Sequence, residues 1–407
     1  MSKIKRLVML NQMAGPLFRE LAEGLAPLFE DGCLLPTGHP DTLALKNQLP
    51  KKIDLIIAPV YDRTSKLKRI ISWIKYLISI SRLVLGSKKT DGFLLTSNPP
   101  LLGAWFWLLT RFRQRPYTVL IYDIHPDVLV MMGIFAINNP VVKIWHWMNN
   151  KVYRDAKAVV TLGKHMASKL SKQYDISQHK LHVIHPWVDT EVIKPIAYNN
   201  NPLVKEFNPK TKHIVLYSGN MGISHDIDSI LEVAKRLNNR EDILFLFVGG
   251  GEKWQDAIDF KNRHNLDNIK VYPYQSEAQL PYSMALSSIS IVALDRGAEE
   301  LMVPSKVFYY MAAGSAVIGI CQGKNELLDV IESNECGLCV QPNNPTILAK
   351  TIEDLITDKV LLGQYRMNAR RAAVELYSRE RGVEKFVSIL KKVELISNEK
   401  STTSQAK

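Results

Sequence analysis

The chain has 407 residues, 46% of them hydrophobic and 23% charged, which is the composition of a soluble globular protein too long for one ordinary core. Its net charge of +12 is uneven: residues 1–189 hold 26 Lys and Arg against 13 Asp and Glu, leaving 26 against 27 for the remainder. The basic first half therefore asks for an anionic partner, while four cysteines, Cys33, Cys321, Cys336 and Cys339, are too few and too scattered for a disulfide framework and fit a reducing cytoplasm.

The N-terminal MSKIKRLVML has too short an apolar run for a signal peptide and is expected to be the first strand, Arg6–Leu10. A loop through Gly15 and a helical pattern from Leu17 to Phe29 follow, the way a doubly wound α/β domain begins, although G-x-G-x-x-G is missing. Gly15 is either a turn glycine or a place where backbone approaches a ligand. Strands are expected at 53–58, 92–96, 118–122, 158–162 and 182–185, separated mostly by helices, hence a parallel sheet.

Two segments of this half are unusual. Residues 65–85 read as a helix with Lys68, Ser72, Lys75, Ser79 and Arg82 on one stripe and with Trp73 and Tyr76 among its apolar residues. LLGAWFWLLTRFRQR then places Trp105, Phe106 and Trp107 ahead of Arg111, Arg113 and Arg115, and residues 62–115 hold eleven basic and two acidic residues. Apolar faces with aromatic and basic flanks suit a helix lying in a membrane surface, with Lys68, Trp73, Lys75, Arg82, Arg111 and Arg113 as the contacts. The alternative is two helices that pack on the sheet with solvated charges. Neither reaches the ~20 apolar residues that span a bilayer. No nucleic-acid-reading motif accompanies the charge.

After the strand at 118–122 comes DIHPD, with Asp123, His125 and Asp127 where ligands of open α/β sheets bind, unless it is only a turn. HPWVDTEVIKP, residues 185–195, leads into a turn-rich linker at 196–209. A second α/β domain, residues 210–375, opens with a strand at 213–217 and the loop SGNMGISHD, in which Gly219, Asn220 and Gly222 let backbone N–H groups face a ligand and His225 precedes a helix. The strand at 243–248 ends in Gly249, Gly250 and Gly251, and the one at 269–272 leads to Tyr274, which is suited to stack on a base. Two glycine loops at strand ends point to a nucleotide.

DRGAEELMVPSKVFYYMAAGSAVIGI, residues 295–320, is the richest stretch. Ser305 reads as a helix N-cap, and its helix start with Lys306 makes an anion site for a diphosphate. Glu299 and Glu300 just upstream suit sugar hydroxyls. The plain alternative is a capped helix with a solvated lysine. CGLCVQP reads as a turn entering a buried strand, since no second Cys pair completes a zinc site. A helix at 376–396 is expected to return to the first domain, residues 1–195, and residues 397–407 to be a disordered tail.

The motifs HPWVDTEVIKP, YSGNMGISHD, FVGGGE, VPSKVFYYMAAG and CGLCVQPNNPTILAKTIEDL together resemble the family 4 glycosyltransferases of the two-domain GT-B architecture, particularly the branch of capsule, O-antigen and colanic-acid assembly. The resemblance implies two Rossmann-like domains and retaining transfer from a nucleotide-sugar donor without metal or cofactor. It further implies a saccharide acceptor, lipid-linked in the favoured reading, an anionic membrane surface and no nucleic acid as partners, and a peripheral place on the inner face of the plasma membrane. Lys306 then meets the leaving phosphate, Glu300 and Asp123 join it as candidate catalytic residues, and the glycine loops, His225, Tyr274, Glu299 and Ser305 hold the donor. Asn220 falls where many members have a phosphate-binding arginine, Asp123 where many have a histidine, and Tyr309 where many have the second of two glutamates. A soluble enzyme with a small acceptor, a non-catalytic subunit that stabilises a partner transferase, and a nucleotide-sugar epimerase are the alternatives.

Overall fold

The computed structural model describes residues 3–62, 64–113, 115–207, 213–222, 225–294 and 297–396. The chain divides into two compact units, Met1–His185 with Gly382–Lys407, and Pro186–Arg381. The division falls at His185, where the sequence suggested Pro195.

In the first unit the order is β1 (Arg6–Leu10), α1 (Pro16–Leu25), β2 (Cys33–Thr37), α2 (Pro40–Ala44), β3 (Ile53–Ile57), α3 (Lys66–Leu85) and β4 (Asp91–Thr96). It continues with α4 (Leu102–Thr110), β5 (Tyr117–Ile121), α5 (Asp127–Met131), α6 (Pro140–Asp155), β6 (Ala158–Thr161), α7 (Lys164–Gln173) and β7 (Leu181–Val183). The strands form a parallel sheet in the order β3-β2-β1-β4-β5-β6-β7. Their residues read as nearly continuous apolar runs because helices cover both faces. Strand β2 is an addition to the expected set. Its Pro36 breaks the usual strand signature, yet Pro36 pairs with Ile56 and its carbonyl accepts a 3.0 Å hydrogen bond from the buried Tyr76 hydroxyl.

The second unit runs α8 (Val204–Phe207), β8 (His213–Asn220), α9 (Ile227–Arg236), β9 (Ile243–Gly250), α10 (Trp254–His264), β10 (Ile269–Tyr272), α11 (Leu280–Ala285) and β11 (Ile289–Ala293). Then come α12 (Lys306–Ala312), β12 (Ala316–Ile320), α13 (Glu326–Ser333), β13 (Gly337–Val340), α14 (Pro345–Thr357) and α15 (Lys359–Leu376), before α16 (Arg379–Lys392), most of which belongs to the first unit. Here too the sheet is parallel, in the order β10-β9-β8-β11-β12-β13. Phe245, Phe247, Ile291 and Ile318 from the sheet meet Ile230, Val233 and Ile352 from the helices in one core. Helix α8 lies inside the expected linker, whose Asn208 and Pro209 fall outside the described residues.

From Gly382 the chain belongs again to the first unit, as expected for the final helix, though six residues after Leu376 ends α15. There Val383 fills the space over Gly24, whose added Cβ would lie 2.5 Å from Val383 Cγ1, and Leu395 packs near Gly92. The expected tail, residues 397–407, lies outside the described residues. In both sheets the strand order reverses once, between β1 and β4 and between β8 and β11, and loops at such a reversal form the ligand crevice of an open α/β sheet.

Candidate functional site

In the second unit β8 and β9 run side by side to their carboxyl ends, pairing Gly219 with Gly249 and Asn220 with Gly250. Gly219 has φ +117° and Gly249 φ +146°, backbone that favours glycine. A Cβ at Gly249 would lie 2.0 Å from the Gly219 carbonyl oxygen, and one at Gly250 2.8 Å from the Tyr274 ring. Two glycine loops are thus in direct contact, with the exposed Tyr274 ring beside them. Gly251, φ +119°, completes the turn, and its close neighbours are the Asn220 side chain and the Met221 backbone. Asn220 is therefore wedged against this turn, with its Nδ2 toward Gly222.

Lys306 begins α12 and points at these loops. Its Nζ donates a 3.0 Å hydrogen bond to the Tyr217 hydroxyl, lies 4.1 Å from the Tyr217 ring centroid, and would be 3.5 Å from a Cβ on Gly219. The Tyr217 hydroxyl in turn donates to the Asn220 carbonyl at 3.0 Å and shares a 2.7 Å hydrogen bond with His225 Nδ1. His225 Nδ1 also lies 3.0 Å from the Asn220 carbonyl. A proton on Nδ1 satisfies both contacts, leaving Nε2 on the side of Gly222. An ammonium, a phenol and an imidazole are so joined around the backbone of residues 219–222.

Helix α12 is fixed from Tyr310 to its C-terminal end. Tyr310, fully buried, accepts from the Ser218 N–H at 2.7 Å and donates to the Ser218 carbonyl at 3.1 Å, which ties α12 to β8. Burial pushes the Tyr310 phenol above its ordinary range, so it stays neutral. At the far end Arg370 Nη1 donates to the Ala312 carbonyl at 2.9 Å and Arg366 Nε to the Gly314 carbonyl at 2.8 Å. Cations at a helix C-terminus satisfy its open carbonyls and suit its dipole.

Not every expected residue falls in this cluster. Ser305 is no N-cap: its φ −57° and ψ −24° are already helical, its side chain caps nothing, and the first turn closes on the Pro304 and Ser305 carbonyls. A proline just ahead of the helix starts it without a capping hydroxyl. Glu299 is half-buried and Glu300 exposed on the turn that follows Gly297, while Asp295 and Arg296 lie outside the described residues, as do Ile223 and Ser224. Tyr309 is half-buried on α12. Tyr217, Tyr310 and the two arginines are neighbours of the site that sequence reasoning missed. YSGN offered Tyr217 as a visible signal; the arginines gave none.

In the first unit Gly15 has φ −75°, so its conformation does not require glycine, and an added Cβ would make ordinary contact with His39. Asp123 sits just past β5, where Ser97 Oγ accepts from the Asp123 and Tyr122 N–H groups at 3.2 and 3.0 Å. The His125 ring stacks on Trp145 at 6.1 Å, and its carbonyl accepts from Asn149 at 2.7 Å. Burial pushes the Asp123 carboxyl up to about 6 and the His125 imidazole down to about 4. A carboxyl that titrates near neutrality is matched to proton transfer. The cavity that Asp123 and His125 line holds about 30 Å³, room for water and not for a sugar.

The Asp123 shift predicts a pH signature. A carboxyl whose folded pKa, about 6, exceeds its unfolded value near 3.8 costs stability that sets in as pH rises through that window. Asp123→Asn removes the cost and should stabilise the first unit by roughly 3 kcal/mol above pH 6 while changing little below pH 4. Urea unfolding followed at pH 4 and pH 7.5 reads the difference; equal effects at both would mean that Asp123 titrates normally.

Of the expected surface contacts, Lys68, Lys75, Arg82, Arg111 and Arg113 are exposed. Trp73 is a correction: it is half-buried and stacks on Tyr61, centroids 6.2 Å apart at 10°, on the side of α3 that faces the protein. Ser72 and Tyr76 are buried on that side too. The outward side of α3 carries Leu67, Ile70, Ile71, Ile74 and Ile78, with Lys68, Lys75 and Arg82 along one edge.

Residues 201–374 match the family model described as Glycosyl transferases group 1. The chain is 24% identical over 284 residues to a probable glycosyltransferase, WbjE, of Pseudomonas aeruginosa, covering 69% of each chain. It is 27% identical over 181 residues to a putative colanic acid biosynthesis glycosyl transferase, WcaI, of Escherichia coli K12, covering 44% of this chain and 43% of that one. The solved structure of Anabaena Alr3699/HepE with UDP and glucose superposes with a TM-score of 0.71 at 13% identity, over 96% of this chain and 100% of that one. The two parallel-sheet α/β units are those of the GT-B glycosyltransferase fold.

Proposed function

We propose that the chain is a glycosyltransferase of cell-surface polysaccharide assembly, taking its sugar from a nucleotide-sugar donor with retention of configuration. The observation that carries this reading is the Lys306 ammonium, held on Tyr217 and aimed at the touching glycine loops. The matched family model over the same unit supports it, as do the transferases named among the relatives.

Breaking a glycosyl–phosphate bond leaves negative charge on the departing diphosphate and positive charge on the sugar. Lys306 takes the first, with backbone N–H groups of the glycine loops other than that of Met221, which already donates to the Gly250 carbonyl at 2.7 Å. In a same-face transfer the departing phosphate takes the acceptor proton, so no carboxylate pair is required. Tyr274 stacks on the base, Glu299 takes a sugar hydroxyl of the donor, and Glu300 stays a candidate catalytic residue beside Lys306. Ser305 contributes through its backbone at the helix start. We assign Asp123 to the acceptor side of the reaction. No metal or cofactor enters; the donor is a substrate.

The acceptor we propose is a lipid-linked saccharide, met on the cytoplasmic side of an anionic membrane. The apolar and basic outer side of α3 supports this, and no helix among the described residues is long and apolar enough to cross a membrane. Nucleotide sugars screened for thermal stabilisation test the donor reading: at ~100 times its dissociation constant the right donor adds about 2.7 kcal/mol. Slow hydrolysis of that donor should accompany the shift. Stabilisation with neither hydrolysis nor transfer would turn the reading to a binding subunit.

A further inference from the structure

The segment from α5 to α6 is unusually apolar. Residues 128–142, VLVMMGIFAINNPVV, hold no ionisable side chain, between Asp127 and Lys143. A connecting segment of this kind is ordinarily polar. Here Met132, Ile134 and Ile137 stand out of the loop, Ile137 with 72% of its surface exposed. On α6 the same outward side continues with Val141, Ile144 and Trp147, while Val142, Trp145, Asn149 and Val152 turn inward. So many large apolar side chains on one loop and helix exceed the scattered exposure usual on soluble surfaces.

Charge completes the pattern. Lys143 and Lys151 lie one turn from these residues, and the Lys151 ammonium sits 5.7 Å from the Trp147 ring centroid. The one acid of α6, Asp155, is taken up by Arg154 at 3.2 Å and by the Trp107 indole N–H at 2.8 Å. Helix α4 touches both α3 and α6, and Trp107 meets Trp147 edge-on at 6.4 Å. The apolar side of α6 therefore adjoins the layer that α3 begins.

We propose that the α5–α6 segment is a membrane-inserting surface, its occupant an anionic lipid bilayer. Ile134 and Ile137 enter the acyl boundary, Trp147 lies at headgroup level, and Lys143 and Lys151 meet the lipid phosphates. A neutral apolar tip with cations set behind it fits such a surface. A protein partner would leave those cations without their anionic layer. Because α5 starts four residues after Asp123, the segment would also hold the Asp123 loop close to the bilayer, where a lipid-linked acceptor resides.

Vesicle binding by the full chain, read without donor or acceptor, tests this independently of the transfer reading. On phosphatidylglycerol–phosphatidylcholine vesicles, Ile134→Asn with Ile137→Asn should lower the partition coefficient about tenfold or more. Lys143→Gln with Lys151→Gln should weaken binding only where phosphatidylglycerol is present. Both pairs are at least partly exposed, so melting temperature should hold, and the Trp147→Phe difference spectrum should show quenching by brominated acyl chains. Undiminished binding by the Ile134/Ile137 pair, or an unquenched Trp147, overturns the proposal. So does self-association, broken by the same pair, in a protein that ignores vesicles.

Discussion

Lys306→Ala is expected to lower the turnover rate by ~100-fold or more, the usual cost of removing one group that stabilises charge in a transition state. The ammonium is not a loose surface cation. Tyr217 holds it from below by its ring and from the side by its hydroxyl, and Tyr217 is itself held by the Asn220 carbonyl and His225. The charge is thus oriented before any ligand arrives, which is what makes a fixed cation effective. If it acts on the departing phosphate, the loss appears in kcat with donor affinity changed much less. Tyr217→Phe offers a graded comparison, since it keeps the ring beneath the ammonium and removes the hydroxyl, and should cost far less than Lys306→Ala. Unchanged turnover in Lys306→Ala at normal donor affinity would take Lys306 out of the mechanism.

What the sequence disclosed and what it hid follow a physical pattern. Glycine loops at strand ends were legible because positive-φ backbone leaves a mark in the sequence, and Gly219 and Gly249 carry that conformation. Lys306 was legible because a cation at a helix start is a local pattern. Its partner was not, because Tyr217 meets Lys306 across 89 positions, and Arg370 meets the Ala312 carbonyl across 58. Ser305 misled because a serine before an apolar run looks like a cap whether or not its dihedrals are extended. Trp73 misled because a basic stripe on a helix does not say which of its other sides is buried. On α3 three sectors share the helix, one buried, one apolar and exposed, one basic, and only the packing of Tyr76 and Ile80 tells the first two apart. Strand β2 was hidden by Pro36, the residue a strand reading discounts.

The same contact that brings the glycine loops together leaves Gly249 no room for a side chain. A methyl there meets the Gly219 carbonyl oxygen at 2.0 Å, less than any real carbon–oxygen contact, and the positive φ adds its own penalty. Overpacking costs about 1–3 kcal/mol and a left-handed non-glycine residue about 1–2 more, so Gly249→Ala should destabilise the second unit by roughly 3 kcal/mol or more. Against a typical total of about 5–15 kcal/mol that is a large fraction. Relief would require β8 and β9 to separate at their ends, which would pull Gly219 from beneath Lys306 and Asn220 from the hydroxyl of Tyr217. Donor-induced stabilisation should therefore vanish along with part of the intrinsic stability. Gly363→Ala is the matched control: Gly363 lies inside α15 with nothing within 4 Å of its added Cβ, and should gain up to about 1 kcal/mol from helix propensity. Urea unfolding followed through Trp254, which packs on the core of the second unit, distinguishes the two. Equal stability in both variants would mean that the glycine loops do not touch as closely as the β8–β9 pairing places them.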